Sequence, residues 1–309
     1  MSAPSVAAAL AERLGPRRDE QRFRFSSVGW LVPSLVLIGV LFLFPVAYAV
    51  YLGFTNLQLL GPHAQSYWFT GFDNIDRMIH DTVFWRSVRL TLIFVVLSGI
   101  VAQTLLGMML ALTMRAAWAP LRLGVGALVI LAWVLPEISV AFIWYAFAQA
   151  DGTLTLLTRD SSANYLASNA LLIVCIANAW RGTAFSMLVF TAGLRGVSAE
   201  VDEAAQLEGA AYWRRLFSVV LPIMRPTIMT NLLLITLGTL SDFTLIFAMT
   251  QGGPGNDTSI LPVYMYIEAF QFNELGYGTA IALALILLAA LFSALYVRQL
   301  RGELSRPRA

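Results

Sequence analysis

The sequence predicts an all-α integral membrane protein with six transmembrane helices, and three observations carry that prediction. Hydrophobic residues make up 58% of the 309 residues and charged residues only 12%. That is about half the charged share of an ordinary soluble protein, too little to build a surface facing water. Six stretches reach the roughly 20 apolar residues needed to cross a bilayer core, at about 28–52, 88–112, 123–147, 169–192, 226–249 and 276–297. The basic residues fall mostly on one side of those stretches, the asymmetry that orients membrane proteins.

Each element follows in order. Residues 1–27 form a polar tail with Arg13, Arg17, Arg18, Arg22 and Arg24. The first apolar stretch follows these arginines and contains AYA at 47–49, a pattern shared with secretory signals. Its apolar core is too long for one, and Pro33 and Pro45 suit a packed, kinked span. Loop 53–87 is aromatic and polar, with a GPH turn signal, and loop 148–168 has a DGT turn signal. Arg115 and Arg122 separate the second and third spans, and Arg195, Arg214, Arg215 and Arg225 mark a loop at 195–225. A tail at 299–309 closes the chain, with Arg298, Arg301, Arg306 and Arg308 around it. With the N-terminus inside, cytoplasmic segments carry fifteen arginines and outer segments four (Arg77, Arg86, Arg89 and Arg159), while Arg181 lies within a span. Both termini are therefore expected in the cytoplasm, as in a multi-pass protein of a plasma or inner membrane.

Composition also excludes chemistry. All 20 basic residues are arginine. Without lysine there is no phosphate loop of the Walker type and no Schiff-base amine, so any use of ATP requires another chain. Cys175 is the single cysteine, so no intrachain disulfide can form, and His63 and His80 lie apart in one polar loop, without the clustered ligands of a metal site. The Ser, His and carboxylate residues form no nucleophile–base grouping. We expect no catalytic residue, no metal, no cofactor bound by this chain and no nucleic-acid partner.

The loop at 195–225 carries the sharpest signal. Ser198 can cap a helix, with Glu200, Asp202 and Glu203 in its first turns, where carboxylates suit the positive end of the dipole. Ala204, Ala205 and Leu207 favour helix, and Gly209 permits a sharp turn or a close backbone approach. A second helical stretch at about 211–220 is expected to end before Pro222, with Pro226 at the entry to span five. An amphipathic connector lying on anionic lipid would instead be basic with bulky apolar residues, whereas 199–210 is acidic and small. Such an elbow suits a protein groove.

The run EAAQLEGAAYWRRLFSVVLPIMRP, beginning at Glu203, resembles the EAA loop of ABC importer permeases. Glu203, Ala204, Ala205, Gly209, Leu221 and Pro222 match its pattern, and Glu208 stands where the family usually has Asp. The segment FTLIFAMTQGGPGNDTSILPVYMYIEAFQFNELGYGTAIAL at 243–283, with NAWRGTAFSMLVFTAGLRGVSAEVDEAA at 178–205, is similar to the carbohydrate-type permeases related to the maltose and glycerol-phosphate transporters. The resemblance covers most of 28–298. It implies a type I importer permease fold, with a cytoplasmic coupling helix between helices four and five. Glu200, Glu203, Ala204, Ala205, Glu208, Gly209, Ala210, Leu221 and Pro222 would then engage the ATPase. It also implies a second, homologous permease, two ATP-binding subunits that hold ATP and Mg, an extracytoplasmic substrate-binding protein, and alternating access.

Charged groups within a bilayer usually face a bundle interior or a wet cavity, and three are candidates: Glu137, Arg181 and Asp242. Asn178, Arg181, Gly182 and Phe185 share one face of span four by helical spacing, and Thr239 and Asp242 share a face of span five. These faces are expected to line the path, with Phe185 stacking on a sugar ring; the maltose permease implies sugar contacts on the matching spans. The alternative is a structural Arg181–Asp242 ion pair without solute contact. The family commonly has an acid after the phenylalanine matching Phe243, whereas here Asp242 precedes it. On a continuous helix that shift turns the carboxylate by about 100°. The solute is expected to be an oligosaccharide, disaccharide or related polyol, with glycerol-3-phosphate or a glycerophosphodiester as the alternative. An ion-coupled secondary transporter, the rival class, would show inverted repeats or helices interrupted near the midplane.

Overall fold

A computed structural model describes residues 31–159 and 164–304; the tail at 1–27 and the last five residues lie outside them. The chain divides into two compact units, 1–51 and 52–309. Of the first, the described part is helix α1 (Leu31–Leu52) up to Tyr51. It contains a π-helical turn, Gly39–Leu43, in which the N–H of Phe44 reaches back to the carbonyl of Gly39. Pro45 follows at once. A proline inside a helix has no N–H to give and crowds the carbonyl four residues back, and widening the preceding turn relieves both.

The second unit is all helix among its described residues. Helix α2 (Asp73–His80) leads into α3 (Thr82–Ala116), then α4 (Ala119–Val134) and α5 (Glu137–Ala148). The short helices α6 (Thr153–Thr158) and α7 (Tyr165–Ser168) precede α8 (Ala170–Arg195) and α9 (Ala199–Leu207). Then come α10 (Tyr212–Leu240), α11 (Thr244–Thr250), α12 (Leu261–Tyr266), which continues as a π turn to Gln271, and α13 (Leu275–Leu304). Among the described residues, six helical stretches are long and apolar enough to span a membrane, counting α5 with α6.

Two expected spans are broken. The third, read as 123–147, splits at Leu135–Pro136 into α4 and α5, because Pro136 disfavours a helical residue before it. The fifth, read as 226–249, stops at Leu240 and restarts at Thr244. Conversely, the helix expected to end before Pro222 does not end there. From Tyr212 to Leu240 it is continuous, with a π turn at Leu216–Val220 in which the Leu221 N–H bonds the Leu216 carbonyl. This is the arrangement seen before Pro45, so Leu221 and Pro222 lie inside α10, beyond the loop.

Helix α8 is the axis: 56% of its apolar stretch is enclosed, against 33% for α3 and 11% for α13. Lipid tails are as apolar as leucine, so dispersion and interhelical hydrogen bonds hold such a bundle. Asn178 Nδ2 donates to Ser98 Oγ at 2.8 Å, Asn231 Nδ2 to Ser186 Oγ at 3.4 Å, and the hydroxyls of Thr236 and Tyr296 meet at 3.1 Å. Three apolar clusters fill the interior. One joins α5, α8 and α11 through Val140, Val174 and Ile246; a second, at the α9 end, joins Phe190, Leu194, Leu216 and Met224. A third, around Phe84, Leu261 and Ile281, lies by α2.

A polar clasp borders that third cluster. Asp81 caps α3 by accepting from the Val83 N–H at 2.8 Å, and it also accepts from the Tyr264 hydroxyl and from the Tyr277 hydroxyl at 2.6 Å. Arg77 pairs with Glu274 and with Glu268 (3.5 Å) and lies 3.9 Å over the Tyr277 ring. Burial opposes the charge on Asp81, but the two tyrosine hydroxyls and the helix N–H groups outweigh it and hold its carboxyl below the usual range. Burial raises Glu268, only partly offset by Arg77.

The signs are opposite. Asp81, with its folded pKa depressed, stabilises above the ordinary carboxylate range, and that contribution is lost as pH falls through its folded pKa. Glu268, raised, contributes most in acid and fades as pH climbs. Replacing Asp81 by Asn should therefore lower the melting temperature at neutral pH, by an equivalent of about 1–3 kcal/mol. It should also flatten the acid limb of a melting-temperature-versus-pH curve in detergent. An unchanged acid limb would remove Asp81 from the clasp's energetics.

Candidate functional site

Glu137, just after the first break, and Ser241–Phe243, the second break, line one cavity of about 380 Å³, within the range of small-molecule sites. Its wall includes all seven span residues singled out from the sequence, Glu137, Asn178, Arg181, Gly182, Phe185, Thr239 and Asp242, together with Gln103 and Trp133.

Helix α8 presents the central strip. Arg181 Nη2 lies 2.9 Å from Glu137 Oε1, so the partner of Arg181 is Glu137, in place of the Asp242 partner considered from sequence. The chain break explains the choice. Pro136 ends the extended link and makes Glu137 the first residue of α5, where a carboxylate meets the positive end of the helix dipole. Arg181 Nε is buried without a hydrogen-bond partner.

Asp242 is buried at 7% exposure, with Oδ1 unpartnered. The argument from a continuous helix does not apply to it, because 241–243 is not helical. The Ser241 N–H bonds back to Gly238 and the Asp242 N–H to Thr239 (3.3 Å), closing α10. Asp242 therefore reaches the cavity from a turn.

Helix α3 backs the strip. Its nine-residue π segment, Val95–Gln103, widens the helix beside α8, a distortion frequent at functional sites. Ser98 Oγ donates to the Phe94 carbonyl at 2.7 Å while accepting from Asn178. Gln103 Nε2 donates to the Asn178 carbonyl at 3.3 Å. Gly182 makes room for that carboxamide, since a Cβ there would stand 2.2 Å from Gln103 Oε1. Asn178 and Gly182 thus position the wall as well as line it. Trp133, near the end of α4, faces Phe185 with ring centroids 6.2 Å apart at 41°, an aromatic pair in the wall. Gln103 and Trp133 were not read from the sequence. A carboxamide in the middle of the largely apolar second span was the available signal for Gln103.

The loop residues form a separate surface. Ser198 caps α9 by accepting from the Val201 N–H at 3.4 Å, and Glu200, Glu203, Ala204 and Ala205 follow on the helix; the side chain of Asp202 lies outside the described residues. Glu208 ends the helix, and its N–H bonds the Ala204 carbonyl at 3.1 Å. Gly209 has φ of +78° with open space around it, so the turn, and not a close approach, requires glycine here. The Ala210 N–H returns to the Ala205 carbonyl. Within the single chain this elbow is bare: Glu200, Glu203, Ala204 and Glu208 are exposed, with Leu207 at 90%.

A bundle of membrane-spanning helices around a polar cavity, with an uncovered elbow at one end, defines a membrane transport subunit. The chain belongs to the family described as the inner membrane component of binding-protein-dependent transport systems, whose pattern matches residues 103–302. Among its relatives is the sulfoquinovosyl glycerol transport system permease of Agrobacterium fabrum, 30% identical over 91% of this chain and 92% of the relative. Another is the trehalose transport system permease of Mycobacterium tuberculosis, 30% identical over 95% and 93%. The fold is shared with a bacterial alginate ABC transporter solved with an alginate-bound periplasmic protein. That likeness has a TM-score of 0.75 at 19% identity, over 91% of this chain and 96% of that one. Family membership also places the interrupted helices in a permease and sets aside the secondary-transporter reading.

The Glu137–Arg181 pair generates a double-mutant test. Each of Glu137→Gln and Arg181→Gln should cost about 1–3 kcal/mol, because the partner is left with an unpaired charge. The double variant should be less destabilised than the sum of the two. Additive losses in thermal melts of the detergent-solubilised protein would show that the two charges do not interact.

Proposed function

We propose that this chain is one permease of an ABC importer for uncharged sugars and that the cavity at the helix breaks is its solute path. The observation that carries the reading is the wall itself. The wall has an aromatic pair, Trp133 and Phe185, for the face of a pyranose, and it has the Asp242 carboxylate and the Arg181 guanidinium for its hydroxyls. Arg181 is already engaged by Glu137, and Asp242 adds a second carboxylate, which favours a neutral polyol over a phosphodiester. The trehalose transport named for the relative from Mycobacterium supports the same class; the sulfoquinovosyl glycerol named for the relative from Agrobacterium is a sugar that carries a sulfonate, and supports sugars more broadly.

The partners belong to this proposal. A second permease completes the path, two ATP-binding subunits hold ATP and Mg and perform the hydrolysis, and an extracytoplasmic binding protein delivers the solute. The arginine distribution supports an orientation with both termini and the elbow in the cytoplasm. The exposed acidic helix α9 and its Gly209 turn would seat in the ATPase, with alternating access following the motor's closure.

Two measurements on the assembled, reconstituted transporter test this. Trp133→Ala and Asp242→Asn should each raise the half-saturating solute concentration about tenfold, the loss of one contact worth roughly 1.4 kcal/mol, with ATPase activity retained. Glu203→Arg with Gly209→Val should release the ATPase on co-purification while leaving the membrane bundle folded. Unchanged solute dependence in the first pair would remove the cavity from the path. An ATPase still bound in the second would remove the elbow from the coupling.

A further inference from the structure

Phe243, the residue before α11, lines the solute cavity, and three further rings lead away from it. Phe247 follows one turn along α11, its ring stacked on that of Phe243 with centroids 5.0 Å apart at 19°. The ring of Tyr266, the last residue of α12, lies 5.0 Å from that of Phe243 and 4.8 Å from that of Phe247. Phe270, four residues on in the π turn that continues α12, lies 5.2 Å from Tyr266. The pairs 243/247 and 266/270 both use i,i+4 spacing, which sets two rings on one side of a helix. Phe243 and Phe247 also rest on the cluster of Val140, Val174 and Ile246, so their rings are held in place. The first three rings are half-buried and Phe270 is 52% exposed. Phe270 falls between Glu268 and Glu274, the two carboxylates that pair with Arg77 of α2. On the orientation proposed above, that end is extracytoplasmic. The rings form a continuous series from the outer side to the cavity wall.

We propose that this series is a track on which a sugar moves, pyranose face against ring face, from the extracytoplasmic side into the cavity. The inference rests on the sugar reading and adds a site to it. An aromatic face carries partial negative charge. The C–H hydrogens on the flat side of a pyranose carry partial positive charge, so the two attract without fixing any hydroxyl. Similar rings at nearly equal spacing offer a sequence of comparable, shallow contacts. Passage requires that: binding favourable enough to enter and weak enough to leave. A ring placed for packing alone would gain most from full burial, yet all four keep accessible surface. A belt facing lipid headgroups favours Trp and Tyr, whereas three of these rings are Phe and the innermost lines the solute cavity.

Uptake of radiolabelled maltose, trehalose and raffinose by the complete transporter in proteoliposomes tests the track. Tyr266→Leu and Phe270→Leu should each lower initial uptake about fivefold, the loss of one stacking contact, for whichever of these sugars is carried. Tyr266→Phe and Phe270→Tyr keep a ring and should stay near the wild-type rate. The Phe270→Leu complex should melt as the wild type does, because the side chain is half exposed. Wild-type uptake in both leucine variants would overturn the track, and so would an equal fall in all four variants. The Trp133→Ala and Asp242→Asn measurements keep this outcome separate from the reading beneath it. A raised half-saturating concentration there, with unaffected leucine variants, leaves the cavity as the path and removes only the track. Uptake of none of the three sugars would remove both.

Discussion

Within a bilayer no water is at hand to satisfy a broken helix, so an interrupted span survives only where protein or a wet cavity takes up its freed polar groups. This chain breaks two spans, at Leu135–Pro136 and at Ser241–Phe243, and the cavity is lined by Glu137, which follows the first break, and by the residues of the second. The Glu137–Arg181 pair ties the first break to α8, and the turn carrying Asp242 closes the second. The half-helices α5 and α11 that restart after the breaks then share an apolar cluster with α8 through Val140, Ile246 and Val174. The cavity, the cluster and the position of α8 follow from one requirement: discontinuous backbone needs partners.

The same breaks decide how motion can travel. Because the π turn at Leu216–Val220 absorbs Pro222, α10 runs unbroken for 29 residues, roughly 40 Å at the rise of an α-helix. One end follows Gly209 and Ala210; the other carries Thr239 and stops at the turn of Asp242. On the proposed coupling, a shift of α9 is delivered along a single stiff element to the cavity wall. A helix ending before Pro222 would have put a hinge in that path. The cluster of Phe190, Leu194, Leu216 and Met224 binds the base of α10 to α8, so the two move as neighbours.

Much of this was legible in the sequence, for identifiable reasons. Span number follows from apolar length, and the elbow from Ser198, the carboxylates and Gly209, all of which act locally. Asn178, Arg181, Gly182 and Phe185 followed from helical spacing along α8, and Thr239 and Asp242 from their polarity in the fifth span. What was hidden is tertiary. Nothing at Ser241–Phe243 has the backbone signature of a break: there is no proline, and hydropathy continues into α11. The break depends on α11 packing against α5. The partner of Arg181 was hidden for the same reason, since periodicity within one helix cannot choose between carboxylates on two other elements. Gln103 was missed because its role depends on Gly182 across the helix crossing.

The pairing also bears on whether the buried charges merely hold helices together. A packing role accounts for Arg181 if it has one carboxylate partner, and Glu137 fills that role. Asp242 accepts from the Leu245 N–H in the first turn of α11, which engages one of its two oxygens. It lies nine-tenths buried with an oxygen that bonds nothing, which costs about 1–3 kcal/mol relative to a satisfied group. On the proposed function, a carboxylate held in this cavity wall serves what enters the cavity as well as the helix start it bonds. Its geometry has the same bias: an acceptor from a turn, a donor from α8 and a flat aromatic pair converge on a space that the chain itself leaves unfilled.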